Sequence, residues 1–329
     1  MTRFSSVQDG WGSYPLVQLL DHASGRQLKV ALHGATLLSL TGSDGFELAD
    51  AYRDADELQR RPSSRFAAMA PFANRIADAR YDWDGVEQDM APGLAGADRV
   101  ARHGFLRSTD YELVETAADD QSAWLLLRSQ VIRPGVFAGY PHAVDIEIRF
   151  TLDPAGLTVD AGMRNVGETS APCFFGWHPY FRVGGTPVDS WLLQVPAETL
   201  IKVDADNIPL PGEQALVPVA SRPELDFRQA HAVGPVHIDQ GYTGLQADAD
   251  GRIRSRLRDP ASGRELVVWQ EAGIMLVFTA DTVARDVRRS VALEPMESLA
   301  NAFNRADCAG TVRLESGADR HFVFGVELP

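Results

Sequence analysis

The chain has 329 residues, 45% of them hydrophobic and 23% charged, with a formal net charge of −14 at pH 7. That is a globular composition, and the chain is long enough to bury a sizeable core. So acidic a surface repels phosphate backbones and anionic lipid, which argues against nucleic acid or a membrane surface as partner.

No eighteen-residue apolar run is present, so no membrane-spanning helix is expected. The N-terminal "MTRFSSVQDGWGSYPLVQLL" has no signal-peptide apolar core. Cys173 and Cys308 are too few and too far apart for a disulfide framework. Two buried thiols in a reducing, cytoplasmic setting are the expectation.

The first local signal is "DADELQRR" near residues 54–61, which predicts a short helix. "PFANRIADARYDWDG" follows at residues 71–85, a polar loop running into a strand. There Asn74 and Arg75 present hydrogen-bonding groups, and the guanidinium is a rigid fork suited to several oxygens at once. A loop arginine of this kind either binds a ligand or ties down backbone carbonyls. In "ARHGFLRSTDYEL", residues 101–113, His103 stands before a turn-forming glycine. It reads either as a packed histidine or as a ligand-facing one.

"AWLLLRSQVI" at 123–132 is a strand candidate. "AVDIEIRFTL" then sets Val144, Ile146, Ile148, Phe150 and Leu152 on one face, against Asp145, Glu147 and Arg149 on the other. "GLTVDAGMRN" repeats the alternation after "DPAG", with Leu157, Val159, Ala161 and Met163, so the two predict a hairpin. "GWHPYFRV" at 176–183 interrupts an aromatic run with His178 and Pro179. Proline cannot donate to a strand ladder, so His178 is expected at a strand end with its ring fixed among aromatics. Aromatic core and proton-transfer site remain equal readings of it.

Asp239, in "VHIDQGYTGL", is a turn aspartate or a strand-end ligand. "ELVVWQ" and "IMLVFTA" are further strands. "VALEPMESLANAFNR" repeats the pattern of the histidine segment: apolar strand, titratable Glu294, then Pro295. If buried, Glu294 has a raised pKa and is a proton acceptor near neutrality; otherwise it is an ordinary solvated strand end. "HFVFGVEL" closes the chain with Phe322, Phe324, Val326 and Leu328 alternating.

The dominant period is two, helices are few, and no βα alternation or internal repeat appears. A large antiparallel β-sandwich in a single domain over residues 1–329 is therefore expected, all-β with a few short helices. There is no dinucleotide fingerprint, P-loop, H-E-x-x-H or nucleophile elbow. His103, His178 and Glu294 lack the paired spacing of a metal site, so no metal and no cofactor are expected.

Taken in order, "NRIADARY", "RHGFLR", "WHPYF", "HIDQGY" and "EPMESLANAFN" resemble the aldose 1-epimerase (galactose mutarotase-like) family from about residue 70 to 304. The resemblance implies the galactose mutarotase-like supersandwich and cofactor-free exchange of the α and β anomers of a monosaccharide. It implies Glu294 as catalytic base, His178 as catalytic acid, and Arg75, His103 and Asp239 as ligands of the sugar, with Asn74 and Trp177 beside them. Ala79 stands where the family often has glycine, and Trp177 is a bulky neighbour placed to shape sugar choice. Beyond Arg65 and Arg75 no arginine cluster accompanies "PFANRI", which favours an unphosphorylated sugar; Arg102, Arg107 and Arg182 are the groups that would serve an anionic one. Two further readings are a non-catalytic sugar-binding protein and a glycoside hydrolase working through Asp239 and Glu294. Monomer and homodimer are both open.

Overall fold

The alternating segments become antiparallel strands in the computed structural model, which describes residues 2–328. Val144–Asp153 and Gly156–Asn165 pair in register from Val144↔Asn165 to Asp153↔Gly156, the predicted hairpin. Its two-residue turn is held by Asp153, whose Oδ1 accepts from the Ala155 and Gly156 amides. Val144, Ile146, Ile148, Phe150 and Leu152 are all buried, each adding roughly 1.5–3 kcal/mol of hydrophobic stabilisation. This hairpin sits within a nine-stranded sheet that also contains Ala123–Ile132, Glu265–Gln270 and Asp319–Glu327.

A second sheet, of eight strands, carries the polar clusters. Its strands, in chain order, are β1 (Ala67–Met69), β2 (Gly176–His178), β3 (Tyr180–Phe181), β4 (Ala197–Ile201), β5 (Leu216–Pro218), β6 (Asp239–Leu245), β7 (Ile274–Phe278) and β8 (Val291–Met296). They run β5-β4-β6-β7-β8-β2-β1 across the sheet, with β3 also on β8. The two sheets meet through aromatic rings, Trp177 and Phe175 packing on Phe324 with centroids 5.4 and 6.1 Å apart. One buried apolar cluster runs from Phe4 to Leu328 through both. Both cysteines are buried and free.

Helix α1 (Ala55–Arg60) forms within the predicted 54–61 segment. Asp54 caps it by accepting from the Glu57 amide at 2.8 Å, and Arg61 ends it in the left-handed region. A four-stranded antiparallel sheet over residues 4–41 was not anticipated strand by strand. Among the described residues, no helix is long and apolar enough to cross a membrane.

Candidate active site

Two prolines set the site. β2 pairs with β8 at Gly176↔Met296, and β3 pairs with β8 at Tyr180↔Ala292. The register is continuous between those pairs, so His178 falls opposite Glu294 while the ladder lapses around Pro179 and Pro295. Opposite residues on neighbouring strands share a face and stand close enough to interact. Accordingly, His178 Nδ1 lies 3.4 Å from Glu294 Oε1. The contact is close but lacks hydrogen-bond geometry, and Nδ1 has no other partner among the described residues.

Period two then selects what faces the cavity. Residues two apart on a strand point the same way, so Tyr180 follows His178 to that face, and Leu276 comes beside Glu294 through β7. Phe278 on β7 pairs with Asp239 on β6. Together these line a cavity of about 310 Å³, closed by Ser63, Ser64, Asn74, Arg75, Arg102, His103, Thr282 and Val283. That is the small end of the ~300–1,000 Å³ typical of small-molecule sites, fitting one sugar ring. A larger cleft of about 590 Å³ lies elsewhere, among Glu198, Asp226, Arg228 and His231. It holds no buried, strongly shifted acid or base, so the smaller cavity is the candidate.

Of the seven residues expected from sequence, six meet here: Asn74, Arg75, His103, His178, Asp239 and Glu294. Trp177 does not, which corrects the expectation that it contacts substrate. It alternates to the opposite face from His178, is 1% exposed, and packs on Phe66, Phe181 and Phe324. Phe174, Phe175 and Phe181 are likewise buried. Tyr180 is the aromatic of this segment that reaches the cavity, stacked on His178 at 5.1 Å and 12°. Its i+2 spacing from His178 was the available sequence signal. Ser63 and Ser64 gave none. They lie in a loop where Arg61, Ser63, Ser64 and Phe66 all adopt positive φ, an accumulation of backbone strain typical of functional sites.

The remaining motif residues hold these groups in place. Asn74, itself left-handed at φ 55°, accepts from Arg75 Nη1 at 2.9 Å through its side chain and from the His103 amide at 2.7 Å through its carbonyl. Gly104 follows at φ +63°, and a Cβ there would fall 2.1 Å from the Ala70 carbonyl oxygen, so no other residue fits. The distal part of "EPMESLANAFN" clamps the arginine segment: the Asn301 amide donates to Arg75 O at 2.6 Å, and its Oδ1 accepts from the Ala77 amide at 3.0 Å. His103 Nδ1 is 2.9 Å from Met69 Sδ. A thioether only accepts, so Nδ1 carries the proton and Nε2 is left as an acceptor.

Electrostatics separate the groups. Burial drives the His178 pKa down to about 3, assisted by the cations Arg65, Arg107 and Arg102 against a backbone hydrogen bond that raises it. Burial drives Glu294 well above the usual carboxyl value; the Asp239 charge adds to this and Arg75 opposes it. Burial also raises Asp239, with Arg75 and Arg102 opposing. His103 is held well below the ordinary histidine value by burial and by His178 beside it. Burial thus favours the protonated form of Glu294 and the neutral form of His178. Among the described residues no three His, Cys, Asp or Glu side chains converge in a way that could hold a metal ion. A neighbouring acid–base pair, an arginine fork and a further carboxylate around a ring-sized cavity suit proton transfer to and from a polyhydroxylated ring.

Known proteins share this architecture. A family model described as aldose 1-epimerase matches residues 17–323. The uncharacterized protein YihR of Escherichia coli (strain K12) is 25% identical over 259 residues, spanning 78% of this chain and 77% of that protein. Among solved structures, a galactose mutarotase-like protein from Clostridium acetobutylicum superposes with a TM-score of 0.84 at 14% identity, covering 99% of each chain. A galactose 1-epimerase from Lactobacillus acidophilus gives a TM-score of 0.80 at 15% identity, again over 99% of each. At such identities the structural likeness establishes the fold.

Proposed function

The chain belongs to the aldose 1-epimerase family, and we propose that it interconverts the α and β anomers of an aldose by ring opening and reclosure. The observation that carries this is the cross-strand pair of His178 and Glu294, 3.4 Å apart on a ring-sized cavity with Arg75 and Asp239. Glu294, as carboxylate, takes the proton from the C1 hydroxyl while His178, as imidazolium, protonates the ring oxygen. The bond between C1 and the ring oxygen breaks, leaving an aldehyde at C1 and a hydroxyl on C5. Rotation about C1–C2 presents its other face, and neutral His178 then deprotonates the C5 hydroxyl as protonated Glu294 returns its proton to the aldehyde oxygen. Acid and base acting together avoid both a poor leaving group and a bare cation at C1, each contributing roughly 10²–10⁴-fold.

The electrostatics add a detail. Protonated Glu294 with neutral His178 is the state required with the open chain bound, not with the ring. Opening a cyclic sugar therefore requires the shared proton to move from Glu294 to His178. Arg75, which favours ionised Glu294, and the fixed imidazole assist that transfer.

Glu294→Gln tests the assignment. Polarimetry on a panel of aldoses should show catalysed mutarotation lost by at least about 10²-fold, while calorimetry still detects sugar binding. Full activity in the variant removes Glu294 as base. Binding without rate enhancement by the unaltered protein supports a sugar-binding role instead.

A further inference from the structure

A core methionine is normally exchangeable, because its flexible thioether fills whatever space its neighbours leave. Met69 is placed differently. It ends β1 fully buried, and its Sδ lies 2.9 Å from Nδ1 of His103. The neighbouring strand is built to make room for it. β1 pairs with β2 at Met69↔Gly176. A Cβ on Gly176 would fall 3.0 Å from Met69 Cε, 2.8 Å from Met296 Cγ and 2.7 Å from Ala73 Cβ. Gly176 does not adopt a positive φ, so what this glycine supplies is space.

The histidine that meets the sulfur is pinned as well. His103 is left-handed at φ 58°, and its amide is held by the Asn74 carbonyl. Two residues on, the Phe105 amide donates to the carbonyl of Ala70, the residue after Met69, at 2.9 Å. The His178 ring closes the other approach, edge-on with centroids 5.1 Å apart. His103 is buried and kept neutral chiefly by that burial, so the position of its one ring proton decides what it can bind. Nδ1 faces an atom that only accepts. Nε2 makes no hydrogen bond among the described residues, and it is not sealed from solvent as His178 Nδ1 is. It is the nitrogen that His103 offers to the cavity it lines.

We propose that Met69 is a positioning residue: its sulfur holds the His103 proton on Nδ1, so that Nε2 is an obligate acceptor and the site selects an aldose that donates a hydroxyl proton there. This rests on the anomer-exchange reading above and adds a requirement on the substrate. The other tautomer would set an Nδ1 lone pair against the sulfur lone pairs in the core, leaving both unpaired. With the proton fixed, a fluorine or ether oxygen at that position of the sugar brings one acceptor against another. Such an analogue is rejected for the donor it lacks and not for its size.

Ring-nitrogen NMR on protein carrying isotope-labelled histidine tests the first half. The expected spectrum has His103 protonated on Nδ1 alone. Met69→Leu keeps the volume and removes the acceptor, and should move His103 toward the Nε2-protonated form. Exchange NMR tests the second half, on whichever of D-glucose and D-galactose is turned over faster and on its deoxyfluoro derivatives at C2, C3, C4 and C6. Met69→Leu should raise KM for the parent sugar by about three- to tenfold, the scale of one neutral hydrogen bond, with kcat little changed. At one position the fluorine penalty on kcat/KM should be larger in the unaltered protein than in Met69→Leu by a similar factor. Three results overturn the proposal and leave anomer exchange standing: His103 protonated on Nε2 in the unaltered protein, the same tautomer in Met69→Leu, or fluorine penalties that match in the two proteins at every position. No acceleration of either hexose overturns the anomer-exchange reading for them and the hydroxyl requirement with it, while the spectrum still decides the Met69 contact.

Discussion

Asp50 and Glu294 are each 2% exposed, yet the protein holds them in opposite states. Burial pushes both pKa values up. At Asp50 the push is overcome by Arg65, by the Ser290 hydroxyl at 2.7 Å and by Arg285 at 3.1 Å, so its carboxylate stays below the ordinary value. At Glu294 no arginine or lysine among the described residues pairs with the carboxyl group, Asp239 adds its own repulsion, and the pKa stays well above the ordinary value although Arg75 opposes this. Depth alone does not set charge; partners do. The two regions are joined, because the Arg65 guanidinium that neutralises Asp50 lies 4.6 Å over the Tyr180 ring, which stacks on His178. In the first region the carboxylate is fully partnered by cations and a hydroxyl; in the second the carboxyl group has no such partners among the described residues.

Removing one charge from each separates them most sharply. Asp50→Asn strands Arg65 in the core and should cost about 3–5 kcal/mol by chemical denaturation. Glu294→Gln removes no partner's counter-ion and should leave stability at neutral pH equal or higher while activity collapses. A loss above about 1 kcal/mol in that variant would mean the two carboxyl groups are not different in kind.

The pH dependence sharpens the contrast. The raised native pKa of Glu294 means the folded state keeps a proton that the unfolded chain releases above about 4.5. Its burial therefore lowers stability progressively as pH rises past that point. The stability of Glu294→Gln relative to the unaltered protein should be flat below pH 4.5 and grow above it, by up to about 1.4 kcal/mol per pH unit. The depressed histidines work the other way. His178, at about 3, and His142, lowered to about 4 chiefly by burial, stay neutral when folded, while the unfolded chain protonates them below about 6.5. Stability should fall as pH drops below 6.5, with a similar slope per group. Asp50 extends the loss below about 3.8, where its native carboxylate resists a proton that the unfolded chain accepts. Denaturation midpoints from pH 8 to 4 would show both limbs, and a flat profile would refute the assigned states.

Two smaller effects probe the opposite face of the site sheet and its flank. Trp177→Phe should cost about 1–2 kcal/mol through lost packing and leave sugar affinity by calorimetry unchanged. A shifted affinity would return Trp177 to the binding surface. Ala79, fully buried, sits at φ 51° beside Asp78 at φ 50°, a conformation that costs a residue with a Cβ about 1 kcal/mol. Ala79→Gly should therefore raise the melting temperature slightly, because strain relief is opposed by the unfolded-state entropy of glycine.

Much of this was legible in the sequence because the relevant period is two. Alternation from Val144 to Leu152 and from Leu157 to Met163 identified a hairpin without reference to anything distant. The X-Pro step at His178 marked a strand end, whereas Glu294 and Pro295 lie inside β8, which pairs with β7 straight through both. Five short motifs in order identified the family, and six of the seven site residues chosen on that footing line one cavity. Trp177 was misplaced because proximity in sequence to His178 was read as proximity to the ligand, whereas strand neighbours point to opposite faces.

What the sequence determined by itself was local: strand periodicity, turn chemistry, the capping Asp54 and the residue types able to move protons. Only the tertiary structure decided that residues 178 and 294 share one register, that Arg65 belongs to Asp50, and that two carboxyl groups of equal depth have pKa values shifted in opposite directions. The pairing of 178 with 294, and the Ser290 and Arg285 contacts to Asp50, join segments more than a hundred residues apart, while Arg65 lies 15 residues from Asp50. Desolvation and Coulomb energy depend on distance and surroundings in space, which order along the chain does not contain.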